Sequence, residues 1–194
     1  MKKRTILAIV VAIFFITTAA FAVRVSSAEN QKNTSAAGTK YTSEIDKAGM
    51  SEIYFAGGCF WGVEEYFSRI TGVYDVTVGY ANGKTENPTY QQVCSGKTGH
   101  TEAVHVTYNP EVVSLKVLVE QFFKIINPIS VNKQGNDVGS QYRTGIYFTR
   151  EADKASAEAV MVEVQKKYSK PLAVELVPLK SYYLAEEYHQ DYLK

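Results

Sequence analysis

The sequence predicts an α+β fold, an α/β two-layer sandwich. Short runs with apolar residues at alternate positions mark strands, and longer runs with apolar residues three and four apart mark helices. From residue 51 onward the two kinds follow one another as strand, helix, strand, loop, strand, helix, strand, helix, strand. That order packs helices against one sheet. Two polar stretches, residues 81–100 and 127–142, are long for connections in a small domain, which points to functional loops.

Each element has its own signal. Ile53-Tyr54-Phe55-Ala56 is a short apolar run before Gly57-Gly58, a strand and then a turn. From Phe60 the apolar residues fall at Val63, Phe67 and Ile70, with Glu64 and Glu65 off the stripe, and Gly72 ends this helix. Val73–Tyr80 alternates as a strand. Residues 81–100 carry Gly, Asn, Pro and Ser, with one helical turn expected around Tyr90–Cys94. Thr101–Tyr108 alternates again and stops at Asn109-Pro110. Ser114 caps an amphipathic helix that runs to Ile126. Residues 127–142 read as a polar loop, and Arg143–Phe148 as a strand. Glu151–Tyr168 reads as a helix with acidic residues at its start and lysines at its end, as the helix dipole favours. Val174–Val177 is a strand, and Tyr182–Leu193 a final aromatic-rich helix or irregular tail.

The folded domain should begin near Ser51. Residues 29–50 are small, polar and without periodicity, and read as a disordered linker. Residues 1–28 open with Lys2, Lys3 and Arg4 and continue with an uncharged, mostly apolar run from Ile6 to Val23. Ala20-Phe21-Ala22, near the end of the run, and Ser26-Ser27-Ala28, after it, are both small-x-small cleavage candidates. This is the pattern of a secretory signal peptide. An uncleaved membrane anchor is the alternative, since the run is near the minimum of roughly 18 residues that spans a bilayer. The basic residues precede the run, so either reading places the domain outside the cytoplasm, as a periplasmic, secreted or membrane-anchored protein.

Composition narrows the function. The chain of 194 residues has 21 Lys and Arg against 20 Asp and Glu, a formal charge of +1, and so lacks the basic excess of a nucleic-acid binder. Two cysteines make no disulfide framework, and no CxxC is present for zinc or thioredoxin-type chemistry. With 14 Tyr and 9 Phe the chain is aromatic-rich, and tyrosines in a cleft supply hydroxyl donors as well as core.

One cysteine sits in GGCFWGVEEYF, residues 57–67. A strand, two glycines and then a helix place the Cys59 sulfur in a first helical turn, where backbone N–H groups and the dipole should lower its pKa. The glycines permit a tight turn and leave room above the sulfur. Phe60 and Trp61, the latter the only tryptophan, follow at once. If all three side chains line one cavity, it offers a reactive sulfur and an apolar wall for an uncharged, methyl-like group.

GCFWGVEEYF, residues 58–67, resembles the signature of the A-type peptide methionine sulfoxide reductases. PTYQQVCSGKTGHTEAV (88–104), QGNDVGSQY (134–142) and EEYHQDYLK (186–194) resemble the same family, in its order and spacing, so the resemblance spans about residues 52–194. It is accompanied by the expectation of a ferredoxin-like βαβ core. The resemblance implies that Cys59 attacks the sulfoxide sulfur and that Phe60 and Trp61 hold the S-methyl group. It implies that Glu102 protonates the sulfoxide oxygen, that Tyr90 and Tyr142 hydrogen-bond it, and that Asp137 contacts the substrate main chain. A sulfoxide oxygen leaves poorly until protonated, so an acid and hydroxyl donors suit the chemistry. A carboxyl among aromatic rings should have a raised pKa. The substrate implied is the S epimer of methionine sulfoxide, free or in proteins.

The resemblance further implies no bound cofactor and no metal. It implies an external thiol reductant, either thioredoxin-like, glutaredoxin-like or a small thiol, and a monomer. Many members resolve the sulfenic acid with cysteines near the C-terminus, and this chain has none after Cys94. Cys94 matches a position that in the family is usually a buried, non-resolving thiol. Direct reduction of Cys59 by an external thiol, resolution by Cys94 and a truncated chain all stay open.

Two other classes compete. A cysteine hydrolase needs a histidine base, for which His100, His105 and His189 are available. His100 and Glu102 lie two apart, on one strand face if the strand extends that far, and could also be half a metal site. A binding module with an aromatic pocket gives no reason for a thiol at a helix start. The motifs of the B-type reductases are absent.

Overall fold

The alternation in Ser51–Gly57 (β1) is that of a strand buried on both faces, and the sheet is built outward from it. A computed structural model describes residues 49–194. The signal peptide or anchor expected at 1–28, and the linker up to residue 48, lie outside the described residues. Helix α1 spans Phe60–Ser68, β2 Val73–Ala81, α2 Tyr90–Cys94, β3 Thr101–Tyr108 and α3 Leu115–Ile125. Two short strands follow, β4 at Lys133–Gln134 and β5 at Asp137–Val138, then β6 at Thr144–Phe148. Helix α4 at Glu151–Gln165, β7 at Val174–Pro178 and β8 at Tyr182–Leu184 complete the described elements.

The main sheet has the order β7-β6-β1-β3-β2-β8. Its centre, β6-β1-β3-β2, pairs antiparallel throughout and is the split βαβ arrangement of a ferredoxin-like fold. At one edge β7 joins β6 in parallel through the α4 crossover, and at the other β8 joins β2 antiparallel. The expected α+β sandwich is what the chain adopts.

Both faces of the sheet are covered, and this decides the environment of the site. On one face Ile53 and Phe55 of β1 and Val104 and Val106 of β3 pack with Phe60, Val63 and Phe67 of α1 and Leu118, Val119 and Phe122 of α3. Phe55 stacks on Phe67 and Phe122 at centroid distances of 4.7 and 4.8 Å. Truncating such a ring to Ala costs about 3–5 kcal/mol. The other face holds Tyr54, Tyr147 and Tyr182. Every residue of β3 is buried. Because β3 alternates, Glu102 lies on the helix-covered face with Val104 and Val106, while His105 points the other way and stacks on Tyr54 at 4.4 Å.

The structure corrects several boundaries. The 127–142 loop contains the β4–β5 hairpin, closed at Gly135 with φ +57°. Of the expected final helix or irregular tail, the helix is absent: the segment opens with strand β8 and continues as an irregular tail with a 3-10 turn at Glu187–His189. Three residues of alternation give little sequence signal, and pairing with β2 decides the matter. Helix α4 ends at Gln165 rather than at Tyr168, with Lys166 as its C-cap.

Candidate active site

The turn that carries Cys59 requires glycine. Gly58 has φ +88°, and a Cβ there would lie 2.6 Å from the Cβ of Gln134. Gln134 cannot yield easily. Its Oε1 accepts from Asn127 N–H at 2.8 Å, and its Nε2 donates to Asn127 O and Thr144 Oγ1, both at 2.9 Å. The β4–β5 hairpin is thereby fixed beside the Gly57-Gly58 turn.

Cys59 is the N-cap of α1, one position before the first turn in which it was expected, and it is half-buried. The Trp61 and Gly62 N–H groups lie beside the sulfur without closing a capping hydrogen bond of ordinary geometry, and they favour the thiolate. Burial outweighs them, and the carboxylates of Glu102 and Asp137 add repulsion, so the thiol is raised to about 11. The expected lowering is therefore reversed in the unliganded protein. A helix start is visible in sequence, whereas burial and two nearby carboxylates are not.

Glu102 is 1% exposed. Its Oε2 accepts the N–H of Phe60 at 3.1 Å, which joins β3 to the start of α1 next to Cys59. Burial raises its carboxyl to about 7, with the Phe60 N–H opposing and Asp137 adding to the rise. Directly opposite on β2, in register, stands Tyr80.

Asp137 lies on β5, and Tyr142 ends a 3-10 turn at Ser140–Tyr142. Thr101 Oγ1 donates to Gln141 O at 2.8 Å and so ties that turn to the start of β3. The Tyr142 hydroxyl is raised to about 12, by burial first and then by the charges of Glu102, Cys94, Asp137 and Cys59. Tyr90, the first residue of α2, has its hydroxyl pushed well above its ordinary value by burial, by Cys94 beside it and by Glu102 and Tyr142. Cys59, Tyr90, Glu102, Asp137 and Tyr142 thus share one electrostatic neighbourhood. Cys94 is exposed, in contrast to the buried thiol that the resemblance implied, and burial with the charges of Glu102 and Glu186 raises it despite the Tyr90 hydroxyl.

The two predicted aromatic residues diverge. Phe60 is 1% exposed and turns into the core against Tyr80 and His189. Trp61 is half-buried against the edge of the core, stacked on Tyr192 at a centroid distance of 3.8 Å and an angle of 11°. The cavity of about 340 Å³ next to Cys59 is lined by Gly57, Gly62, Val63, Ile125, Gln134, Gly135 and Asp137, and by neither Phe60 nor Trp61.

Several site residues escaped sequence reasoning. Glu186 accepts the Tyr80 hydroxyl at 2.7 Å and the Tyr90 N–H at 3.0 Å, and so anchors α2 to β2. Burial acts to raise its carboxyl, but these donors prevail and hold it below its ordinary value. Their only sequence signal was the aromatic and acidic density of EEYHQDYLK. Two of the three candidate base histidines are already engaged. His100 Nδ1 accepts from Gly83 N–H at 3.1 Å and its Nε2 donates to Thr85 O at 2.8 Å, which occupies both ring nitrogens of a neutral imidazole. His105 is bonded to Glu52 on the far face of the sheet. Among the described residues His100 and Glu102 find no third metal ligand.

Residues 51–194 match the model of the family described as peptide methionine sulfoxide reductase. The peptide methionine sulfoxide reductase MsrA of Clostridium botulinum is 54% identical over 145 residues, which cover 75% of this chain and 92% of that protein. Among solved structures, reduced Mxr1 from Saccharomyces cerevisiae superposes with a TM-score of 0.74 at 38% identity, covering 81% of this chain and 91% of that one. Mxr1 in complex with Trx2 gives a TM-score of 0.57 at 28% identity, covering 79% of this chain and 92% of that one. The chain belongs to the peptide methionine sulfoxide reductase family, and its reaction is the thiol-dependent reduction of methionine sulfoxide to methionine.

Proposed function

We propose that this reductase works through Cys59 as nucleophile and Glu102 as the acid on the sulfoxide oxygen. The observation that supports the pairing most directly is the Phe60 N–H to Glu102 hydrogen bond, which holds a buried carboxyl against the turn that carries the sulfur. The Cys59 sulfur attacks the sulfoxide sulfur and forms an S–S bond as the S–O bond breaks with its electron pair on the oxygen, which leaves as hydroxide; hydroxide then attacks the Cys59 sulfur, and the S–S bond breaks with its electron pair going to the methionine sulfur. The proton that leaves the thiol ends on that oxygen, with Glu102 as the relay. Methionine sulfoxide and thiol become methionine and a sulfenic acid, with atoms and electrons balanced. Tyr90 and Tyr142 donate hydrogen bonds to the departing oxygen, and their raised hydroxyls stay protonated for that task. Asp137, on the rim of the cavity, meets the substrate main chain, and Trp61, beside Cys59 but outside that cavity, supplies the apolar wall for the S-methyl group with the buried Phe60 ring packed next to it.

Recycling is direct. An external thiol attacks the sulfenic acid on Cys59 with loss of water, and a second thiol releases Cys59. The complex of the yeast relative with Trx2 supports a redoxin as donor here. No bound cofactor is needed for any of these steps. The substrate is the S epimer. The basic start and apolar run of residues 1–28 support export, so the substrates are oxidised exported proteins. Cell fractionation with N-terminal sequencing tests export, and a cytoplasmic protein retaining Met1 would contradict it. Methionine formation from each epimer with an excess of small thiol tests the chemistry. The S epimer should turn over and the R epimer should not. Glu102→Gln should lower kcat by about 100-fold or more, the ordinary worth of a positioned acid.

A further inference from the structure

Helix α2 is only five residues long and lies within the 82–100 connection, yet it carries Tyr90. Its other hydrogen bonds are internal. Thr89 and Gln92 cap each other, and Ser95 Oγ donates back to Gln92 O at 2.6 Å. Val93 is buried and supplies its apolar contact with the core. Among the described residues, the hydrogen bond that ties this helix to the rest of the fold runs from Tyr90 N–H to Glu186 Oε1 at 3.0 Å. It satisfies a first-turn N–H that has no partner inside a helix. The other oxygen of the same carboxylate accepts the Tyr80 hydroxyl at 2.7 Å. Tyr80 is fully buried and stands in register with Glu102 across β2 and β3. One side chain therefore joins the helix that carries Tyr90 to the strand beside the acid.

The demand on that side chain is chemical as well as spatial. One oxygen must accept an N–H while the other accepts an O–H, and a carboxylate does both. The Tyr80 hydroxyl is raised well above its ordinary value by burial and by Glu186, so it remains a donor. A glutamine of the same size has one accepting oxygen. If that oxygen faces Tyr80, the amide N–H groups meet the Tyr90 N–H. If it faces Tyr90, the buried Tyr80 hydroxyl loses its acceptor. Either way one of the two contacts fails.

We propose that Glu186 is a positioning residue of the reductase, whose two carboxylate oxygens lock α2 to β2 through Tyr90 and Tyr80 and so hold the Tyr90 hydroxyl at the departing oxygen. This rests on the reading of Tyr90 as a donor to that oxygen. Glu186 acts through Tyr90.

The test uses the full protein with Glu186→Gln, Tyr80→Phe and the two together. The rate of methionine formation in a single turnover on a methionine sulfoxide peptide is recorded at increasing peptide concentration, with hydrogen exchange of the Tyr90 amide. Glu186→Gln should slow the saturated rate about 10-fold, part of the roughly 100-fold or more that loss of an oxyanion donor costs. The half-saturating peptide concentration should change less than about 3-fold, and the Tyr90 amide should exchange about 10-fold faster. In the double variant the amide oxygen is free to take the Tyr90 N–H, so both readouts should return to those of Tyr80→Phe alone. In a Tyr90→Phe background, Glu186→Gln should slow the rate by less than about 2-fold. Provided that Tyr90→Phe itself is impaired, a native rate or native exchange in Glu186→Gln would overturn the proposal. So would a double variant that keeps the whole loss, since then the competition of two donors for one acceptor is not its cause. If Tyr90→Phe forms methionine at the native rate, the reading of Tyr90 as a donor fails. The Tyr90 amide then decides the anchor by itself, with fast exchange in Glu186→Gln upholding it and native exchange removing it.

Discussion

The N–H of Phe60 donates to Glu102 Oε2 at 3.1 Å, and so a carboxyl in the middle of a buried strand is bonded to the residue that follows Cys59. The contact couples acid and nucleophile by position and by charge. Glu102 is kept near 7 by burial, and its negative form helps to keep Cys59 near 11. Between those values the pair holds one proton, which rests on the sulfur. The reactive arrangement has that proton on Glu102 and the charge on sulfur. It is the minor tautomer of the same protonation state, and a sulfoxide with positive sulfur and negative oxygen favours it.

A pH profile follows from this coupling. The value of kcat/KM should be level between about 7 and about 11, where the pair carries one proton. Below about 7 it should fall, because a second proton holds sulfur as thiol while Glu102 is already an acid. Above about 11 it should fall because the last proton is lost. A rate that climbs as pH drops below 7 would show instead that the thiol is already ionised.

Glu102→Gln should separate stability from activity. The folded carboxyl is raised from an ordinary 4.5 to about 7, so the folded state binds a proton that the unfolded state releases. Stability is thus full below 4.5 and declines as pH rises toward 7. A neutral amide escapes that decline and still accepts the Phe60 N–H. At pH 8 the variant should be more stable by up to ~3 kcal/mol in chemical denaturation, even as kcat collapses. Lower stability at pH 8 would show that the carboxylate is satisfied where it lies.

The same variant should sharpen the thiol. Removing the Glu102 charge takes away one cause of the high Cys59 pKa, although burial, the larger cause, remains. Alkylation of Cys59 by iodoacetamide at pH 8 should be slow in the native protein and several-fold faster in Glu102→Gln, as more thiolate forms. Equal rates would mean that the two groups do not interact.

Gly58→Ala should damage the site through the hairpin. The position has φ +88°, and its new methyl would meet Gln134 at 2.6 Å. A loss of about 2 kcal/mol or more is expected. Because Gln134 pairs with Asp137 across the hairpin, KM should rise as well. An unchanged melting temperature would show that the hairpin is free to move.

Much of this architecture was legible in the sequence. Thr101–Tyr108 was read to its ends because it alternates and stops at Asn109-Pro110. Ser114 caps α3 as its side chain allowed, accepting from Val117 N–H at 3.3 Å. What was not legible depends on distant residues. The two-residue strands of the hairpin and the three of β8 are too short for a period and exist through their partners. The sign of the Cys59 shift needed Glu102 and Asp137, which lie on β3 and β5. Glu186 could not be told from the acidic residue beside it until its carboxylate was found under Tyr80 and Tyr90.

The most direct test of the account is a single turnover without reductant. The protein is mixed with a peptide that carries S-epimer methionine sulfoxide, and the peptide product and intact protein mass are recorded for the native chain, Cys59→Ser and Cys94→Ser. The account predicts one methionine per protein and the gain of one oxygen, in the native chain and in Cys94→Ser alike, with neither change in Cys59→Ser. Methionine formation by Cys59→Ser, or a native protein that loses two hydrogens rather than gaining oxygen, would contradict it, the first by removing Cys59 as nucleophile and the second by making Cys94 its resolving partner.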